Sequence, residues 1–182
     1  MSTAELHLAL LRAGPRHGYE VKREHDAWFP DARPLAFGQV YATLARLERD
    51  ALVEVVETRS DGGPERTIYA LTARGEQRLQ EWLDEPAPAA GTGTEEIVRK
   101  AVAALRTDTD VQGYLSRQRA FHLRTMRDLG AAPPGADPGA RLLRDHRLAH
   151  LDADLRWLEL AAERLRPDRP TPRTSDRERA DR

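Results

Sequence analysis

The chain contains no cysteine, which excludes disulfides, thiolate nucleophiles and cysteine-based zinc fingers. Aromatic residues make up only 5% of it, against 32% charged residues, the composition of a helix-leaning chain with a modest core. No apolar run approaches the ~20 residues that span a bilayer, and no charged-then-apolar leader opens the chain. A cytoplasmic location with no membrane partner is therefore expected. Neither sign of charge dominates: 29 Lys and Arg face 30 Asp and Glu, a net charge of −1, so any nucleic-acid surface has to be local rather than global. There is also no P-loop, no GxGxxG after a strand and no GxSxG elbow. These absences point away from an enzyme and from a cofactor. The 182 residues leave room for one compact domain or two small ones.

What the chain does have is a patterned stretch from Leu35 to Leu83. In LAFGQVYATLARLERDALVEV, Val40, Leu44 and Leu47 recur at i, i+4 and i+7 and predict a helix with one apolar stripe. The same period gathers Gln39, Ala42, Thr43, Arg46 and Arg49 on the other side, with Tyr41 beside them. Those residue types read base edges: Gln pairs with adenine, Arg with guanine, and methyl groups touch thymine. An ordinary amphipathic surface helix has the same period, so the helix alone does not decide. Behind it, Val53 to Arg59 and Arg66 to Leu71 are rich in β-branched residues, and Ser60-Asp61-Gly62-Gly63-Pro64 between them supplies a tight reversal. Arg59 and Arg66 flank that tip, where a hairpin lying along a duplex meets phosphates. Helix followed by hairpin is the order of a winged helix-turn-helix.

The runs GYEVKREHDAWF, FGQVYATLARLERDALV and GGPERTIYALTARGEQRLQEWL resemble the PadR family of bacterial transcriptional regulators. The likeness is close over Leu6 to Leu83, and a looser one to the longer-tailed subfamily extends over Glu95 to Arg166. The resemblance implies a dimeric DNA-binding repressor or activator, read here as a repressor, whose affinity for a palindromic operator responds to a small molecule. It also implies an effector site between the winged domain and the C-terminal helices, or across the dimer interface. Trp82, Tyr114, Phe121, His122 and Trp157 could wall such a site around a small aromatic or hydrophobic effector, although packing serves each of them equally well.

Along the chain, a first helix ends at Gly14-Pro15. A second, the supporting helix of the motif, starts near His17-Gly18 and stops at Pro30, with Tyr19 and Lys22 near its start as phosphate candidates. His25, on its apolar face, stands where the family pattern has an aliphatic residue and reads as a hydrogen-bonded core histidine. Thr72 can cap a helix from Ala73 to Leu83, with Gly75 allowing close approach. The segment Glu85 to Thr94 is rich in Pro, Gly, Ala and Thr. The expected organisation is mainly α with a small β-hairpin: a winged helix-turn-helix over residues 1–85, a linker over 86–94, a helical dimerisation domain over 95–166 and a disordered tail over 167–182. In the last helix Leu148, Leu151, Leu155, Leu158, Ala162 and Leu165 alternate steps of three and four, an a/d seam expected to hold a homodimer. His146, His150 and Asp154 follow i, i+4, i+8 spacing that can grip a divalent metal, but no further ligands accompany them and no metal is expected. Two other readings stand behind the DNA-binding one: a winged-helix module that binds protein, and a His/Asp metal-dependent enzyme.

Overall fold

The computed structural model describes residues 3–59, 66–88, 93–131 and 137–166. Its elements run α1 (Thr3–Arg12), β1 (Arg16–His17), α2 (Gly18–Trp28), α3 (Phe37–Arg49), β2 (Val53–Arg59), β3 (Arg66–Leu71), α4 (Ala73–Asp84), α5 (Gly93–Arg106), α6 (Val111–Gly130) and α7 (Pro138–Arg164). None of the described helices is long and apolar enough to cross a membrane.

The centre of the winged part is α1, whose Leu6, Leu8, Ala9, Leu10 and Leu11 are all buried. An α-helix apolar on every side has to be surrounded, and α2, α3, α4 and the sheet do so. Val40, Leu44 and Leu47 of α3 enter this core together with Leu79 and Leu83 of α4. The sheet is antiparallel in the order β1-β3-β2. Its hairpin is the expected one, with Arg59 opposite Arg66. The third strand, Arg16–His17, pairs with Tyr69 and Ile68 and was not expected. Two residues carry no periodicity, and only the neighbouring edge of β3 makes them a strand. The turn at 60–65, the loop at 132–136, the tail from 167 and the side chains of Arg59 and Arg66 lie outside the described residues.

The end of α3 fixes how the wing leaves it. The Leu52 amide donates to the Leu47 carbonyl at 2.8 Å and the Ala51 amide to that of Glu48 at 2.9 Å, the paired bonds of a Schellman stop. This closure puts Ala51 at φ 56°, where a Cβ costs about 1–2 kcal/mol. Ala51→Gly should therefore raise stability by roughly 0.5–1 kcal/mol after allowing for the freer unfolded chain. A denaturant midpoint measures it, and an unchanged or lower midpoint would contradict this backbone assignment. The same junction is clasped by α4: Thr72 caps Gly75 at 3.0 Å, while its hydroxyl donates to the Ala51 carbonyl at 2.9 Å.

Past the proline-rich segment, α5 faces two ways. Ala103 and Ala104 join the winged core, whereas Ile97 and Ala101 join Tyr114, Leu115 and Leu158 in a second one. The segment before α5 is pinned as well. Ala87 is buried, its amide donating to Gln118 Oε1 at 2.7 Å and its carbonyl accepting from Gln118 Nε2 at 2.9 Å.

The leucine seam of α7 packs largely inside the subunit, against the helix before it. Leu151, Leu155 and Leu158 are buried, Ala162 and Leu165 pack on the second core, and Leu148 is half-buried. The heptad spacing was right, but α6 fills the facing side. What α7 leaves open is the opposite stripe, where Leu142 and Leu143 are 72% and 69% exposed and Leu160 is 42% exposed.

Candidate nucleic-acid interface

With Val40, Leu44 and Leu47 buried, helical geometry turns Gly38, Ala42, Ala45 and Arg49 squarely outward, with Gln39 and Arg46 on one flank and Phe37 and Tyr41 on the other. All of these are exposed. Among the described residues neither Arg46 nor Arg49 makes a hydrogen bond or ion pair within the subunit. Some other arginines are neutralised: Arg12 meets Glu76 at 3.0 Å, Arg78 meets Glu5 at 2.6 Å, and Arg117 meets Asp84 at 3.1 Å. The surface of α3 is thus a strip of small residues bordered by an amide and two uncompensated guanidinium groups. Gly38 and Ala45 were not singled out from sequence, although the 100° phase that places Ala42 places them too.

Thr43 does not belong to this face. It is 7% exposed and its hydroxyl donates to the Gln39 carbonyl at 2.8 Å, the local back-bond that lets a helical threonine turn inward. By helical phase Thr43 stands nearer the Val40, Leu44 and Leu47 stripe than the centre of the outer strip.

The start of α2 lies beside this strip. His17 and Glu20 form a reciprocal capping box there. Gly18 lets the helix approach α3 closely, since a Cβ at that position would fall 2.6 Å from the Tyr41 ring. Tyr19, 54% exposed, stacks on Phe37 with ring centroids 5.8 Å apart. Lys22 is placed differently from the free cation expected. Its Nζ donates to Asp26 Oδ2 at 2.6 Å and lies 5.1 Å from the Phe37 ring centre. Burial alone would raise the Asp26 carboxyl, but bonds from Lys22, the Leu35 amide and His25 hold it below its ordinary value. Asp26 thereby ties the loop before α3 to α2. His25 is buried against Phe29, and burial lowers its pKa despite the neighbouring carboxylate, in keeping with a core residue.

The aromatic residues expected to wall an effector site are instead packed and bonded. Trp82 Nε1 donates to Glu96 at 2.8 Å and Lys100 lies over its ring. The Tyr114 hydroxyl donates to the Ile97 carbonyl at 3.1 Å. His122, fully buried, sits between Gln118 at 3.1 Å and Asp154 at 3.3 Å. Phe121 and Trp157 are half-buried. A cavity of about 910 Å³ lies elsewhere, between the loop before α3, the end of α2 and the start of α5; Leu6, Phe29, Leu35, Val98, Arg99 and Gln39 are among its walls. Because Asp154 faces His122, it does not complete a triad with His146 and His150, and no group of three or more metal-ligating side chains occurs among the described residues.

Residues 7–81 match the family model described as the transcriptional regulator PadR-like family. A probable transcriptional regulator of Mycobacterium tuberculosis is 28% identical over 178 residues, covering 84% of this chain and 91% of the relative. Among solved structures, Bacillus subtilis PadR in complex with operator DNA is similar at 22% identity and a TM-score of 0.46, with 90% of this chain and 99% of that one covered. The same Bacillus protein in complex with p-coumaric acid is similar at 21% identity and a TM-score of 0.39, with 88% of this chain and 93% of that one covered.

Proposed function

We propose that the chain, whose residues 7–81 match the PadR-like family of transcriptional regulators, is a dimeric repressor that binds a palindromic DNA operator and releases it on binding a small aromatic or hydrophobic effector. The observation that carries this reading is the outer face of α3, where Gln39, Arg46 and Arg49 are exposed and unpaired around Gly38, Ala42 and Ala45. Small side chains let the helix backbone sink into a major groove, and the amide and guanidinium groups then meet base edges. Tyr41 borders this strip. Tyr19, at the start of α2, and Arg59 and Arg66, paired across the wing, meet the phosphates on either side. Thr43 and Lys22 have no part in it.

A single winged helix contacts too few base pairs to select one operator, so two must be held about 34–36 Å apart, or a multiple of that distance. The surface that holds them is the outer stripe of α7. Leu142, Leu143, Ala149, Ala153, Trp157 and Leu160 fall within about 120° of arc at 100° per residue. The exposed His146 and His150 lie in the same arc, and a second copy covering the stripe across a two-fold axis would make an isologous contact. The effector site is the cavity beside α3, whose walls combine apolar residues such as Leu6, Phe29, Leu35 and Val98 with Arg99 and Gln39, so that a ligand filling it bears directly on α3.

Replacing Arg46 with alanine should cost about 1–3 kcal/mol in operator binding and relax preference at one base position, without loss of fold. Fluorescence anisotropy with the protein's own promoter fragment, at several salt concentrations, reads this. Wild-type affinity in the variant would remove α3 from the groove. No salt-dependent binding by the wild type would favour the protein-binding winged-helix reading instead.

A further inference from the structure

Among the described residues, the exposed Phe, Tyr and Trp side chains are Tyr19, Phe37 and Tyr41, and all three gather where α2 and α3 begin. Open rings collected in one place mark a contact surface. Phe37 is the first residue of α3, is 45% exposed and carries no polar atom, so whatever it meets it meets by apolar contact. Its ring is held in place. Tyr19 stacks on it with the two planes 12° apart, and the Lys22 ammonium beside it is fixed by Asp26, which also holds the Leu35 amide. The rim of the patch is basic: Arg23, one turn along α2 from Tyr19, is exposed and makes no hydrogen bond or ion pair within the described residues. An apolar ring between that guanidinium and those of Arg46 and Arg49 suits a partner that is anionic along its backbone and apolar at a point inside it.

We propose that Phe37 reads the 5-methyl group of a thymine, with the Tyr19 ring as its backing and the Tyr19 hydroxyl left for a phosphate. The inference rests on α3 lying in the major groove. There the thymine methyl is the one methyl group that the base pairs present, and it stands at the edge of the groove beside its own strand. The flank of α3 that carries Phe37 faces α2, which in a helix-turn-helix lies across that edge. A helical side chain also leans toward the N-terminus of its helix, which carries the Phe37 ring past the start of α3 and toward the strand. Gln39 and Arg46, on the other flank, select bases through hydrogen bonds; Phe37 adds a thymine by contact alone.

The test uses the full-length protein, a duplex that it selects from a random-sequence pool, and the same duplex with deoxyuridine replacing one thymine at a time. The replacement removes only the methyl. Wild type is expected to lose about fourfold in affinity at one thymine of a half-site, the worth of one buried methyl group. In Phe37→Ala that loss should vanish while the penalty for changing a guanine stays as in wild type, and Phe37→Gln, which keeps bulk without an apolar face, should behave alike if the alanine variant is unstable. A uracil penalty that persists in both variants would give the methyl to Ala42 or Ala45 and overturn the assignment. The absence of any uracil penalty in wild type would overturn it too, and either result leaves α3 in the groove. No salt-dependent binding of any duplex by the wild type would overturn both readings and turn the patch toward a protein partner.

Discussion

Gly75→Ala is expected to cost about 3 kcal/mol or more, the upper end of what overpacking does, because the obstructing atoms are backbone. A Cβ on Gly75 would stand 2.0 Å from the Leu52 carbonyl oxygen and 2.7 Å from Leu71 Cδ1. Neither can withdraw cheaply. The Leu52 carbonyl already accepts from the Thr72 amide at 3.2 Å, and the Leu52 amide closes α3 at 2.8 Å. Moving Leu52 therefore disturbs the end of α3, the first residues of the wing and the cap of α4 together. Gly38→Ala is the control, since a Cβ there meets nothing within 4 Å and should leave stability unchanged or raise it by up to about 1 kcal/mol. Urea unfolding compares the two. Equal midpoints would mean that α4 does not approach Leu52 as described.

Acid should unfold the winged core through His7, the second large effect. This residue of α1 is 0% exposed. Its Nδ1 donates to the Thr3 carbonyl at 2.6 Å, while Nε2 is buried with no partner among the described residues. A proton on Nε2 would put a cation in a leucine-lined core, and burial lowers the pKa from 6.5 to about 4, opposed by the Thr3 bond and assisted by the charges of His25 and Arg46. The unfolded chain thus takes up the proton first as pH falls. Stability attributable to His7 is complete above pH 6.5, declines from there to about pH 4, and is worth on the order of 3 kcal/mol. His25 is shifted in the same direction, so the test is a difference. His7→Leu should flatten the dependence of melting temperature on pH across that window and change neutral stability by less than about 1.5 kcal/mol, the lost bond being offset by removal of an unpaired nitrogen. An unchanged slope would mean that His7 takes a proton in the native state.

The parts of the fold that were legible in the sequence are those set by local periodicity. Val40, Leu44 and Leu47 define which side of α3 is buried, and that alone orients Gln39, Arg46 and Arg49. Thr72 and Gly75 were legible because a cap and a missing Cβ are local requirements. Thr43 was misplaced because a hydroxyl can be satisfied by its own helix, so polarity does not imply exposure. The heptad of α7 states that its leucines need an apolar neighbour and not whose; α6 answers within the subunit, which leaves the second stripe to be seen only in three dimensions. The packing of the aromatics was not legible for a related reason. Trp82 and Tyr114 each find a hydrogen-bond partner outside their own helix, and a buried aromatic so satisfied is a wall between cores rather than the lining of a void. The Gln118 clamp on Ala87 joins residues 31 apart in the chain, beyond the reach of any local pattern.

That clamp, together with the two-sided packing of α5, bears on how specificity in such a chain can change. A graft that exchanges the winged half at the proline-rich segment would leave Gln118 without its backbone partner and set Ala103 and Ala104 against a foreign surface. The outer strip of α3 carries no such debt: Gln39, Ala42, Ala45, Arg46 and Arg49 are exposed and hold up nothing behind them. If α3 reads DNA as proposed, a change of operator is sought by rewriting these five surface residues in place rather than by a graft at the linker.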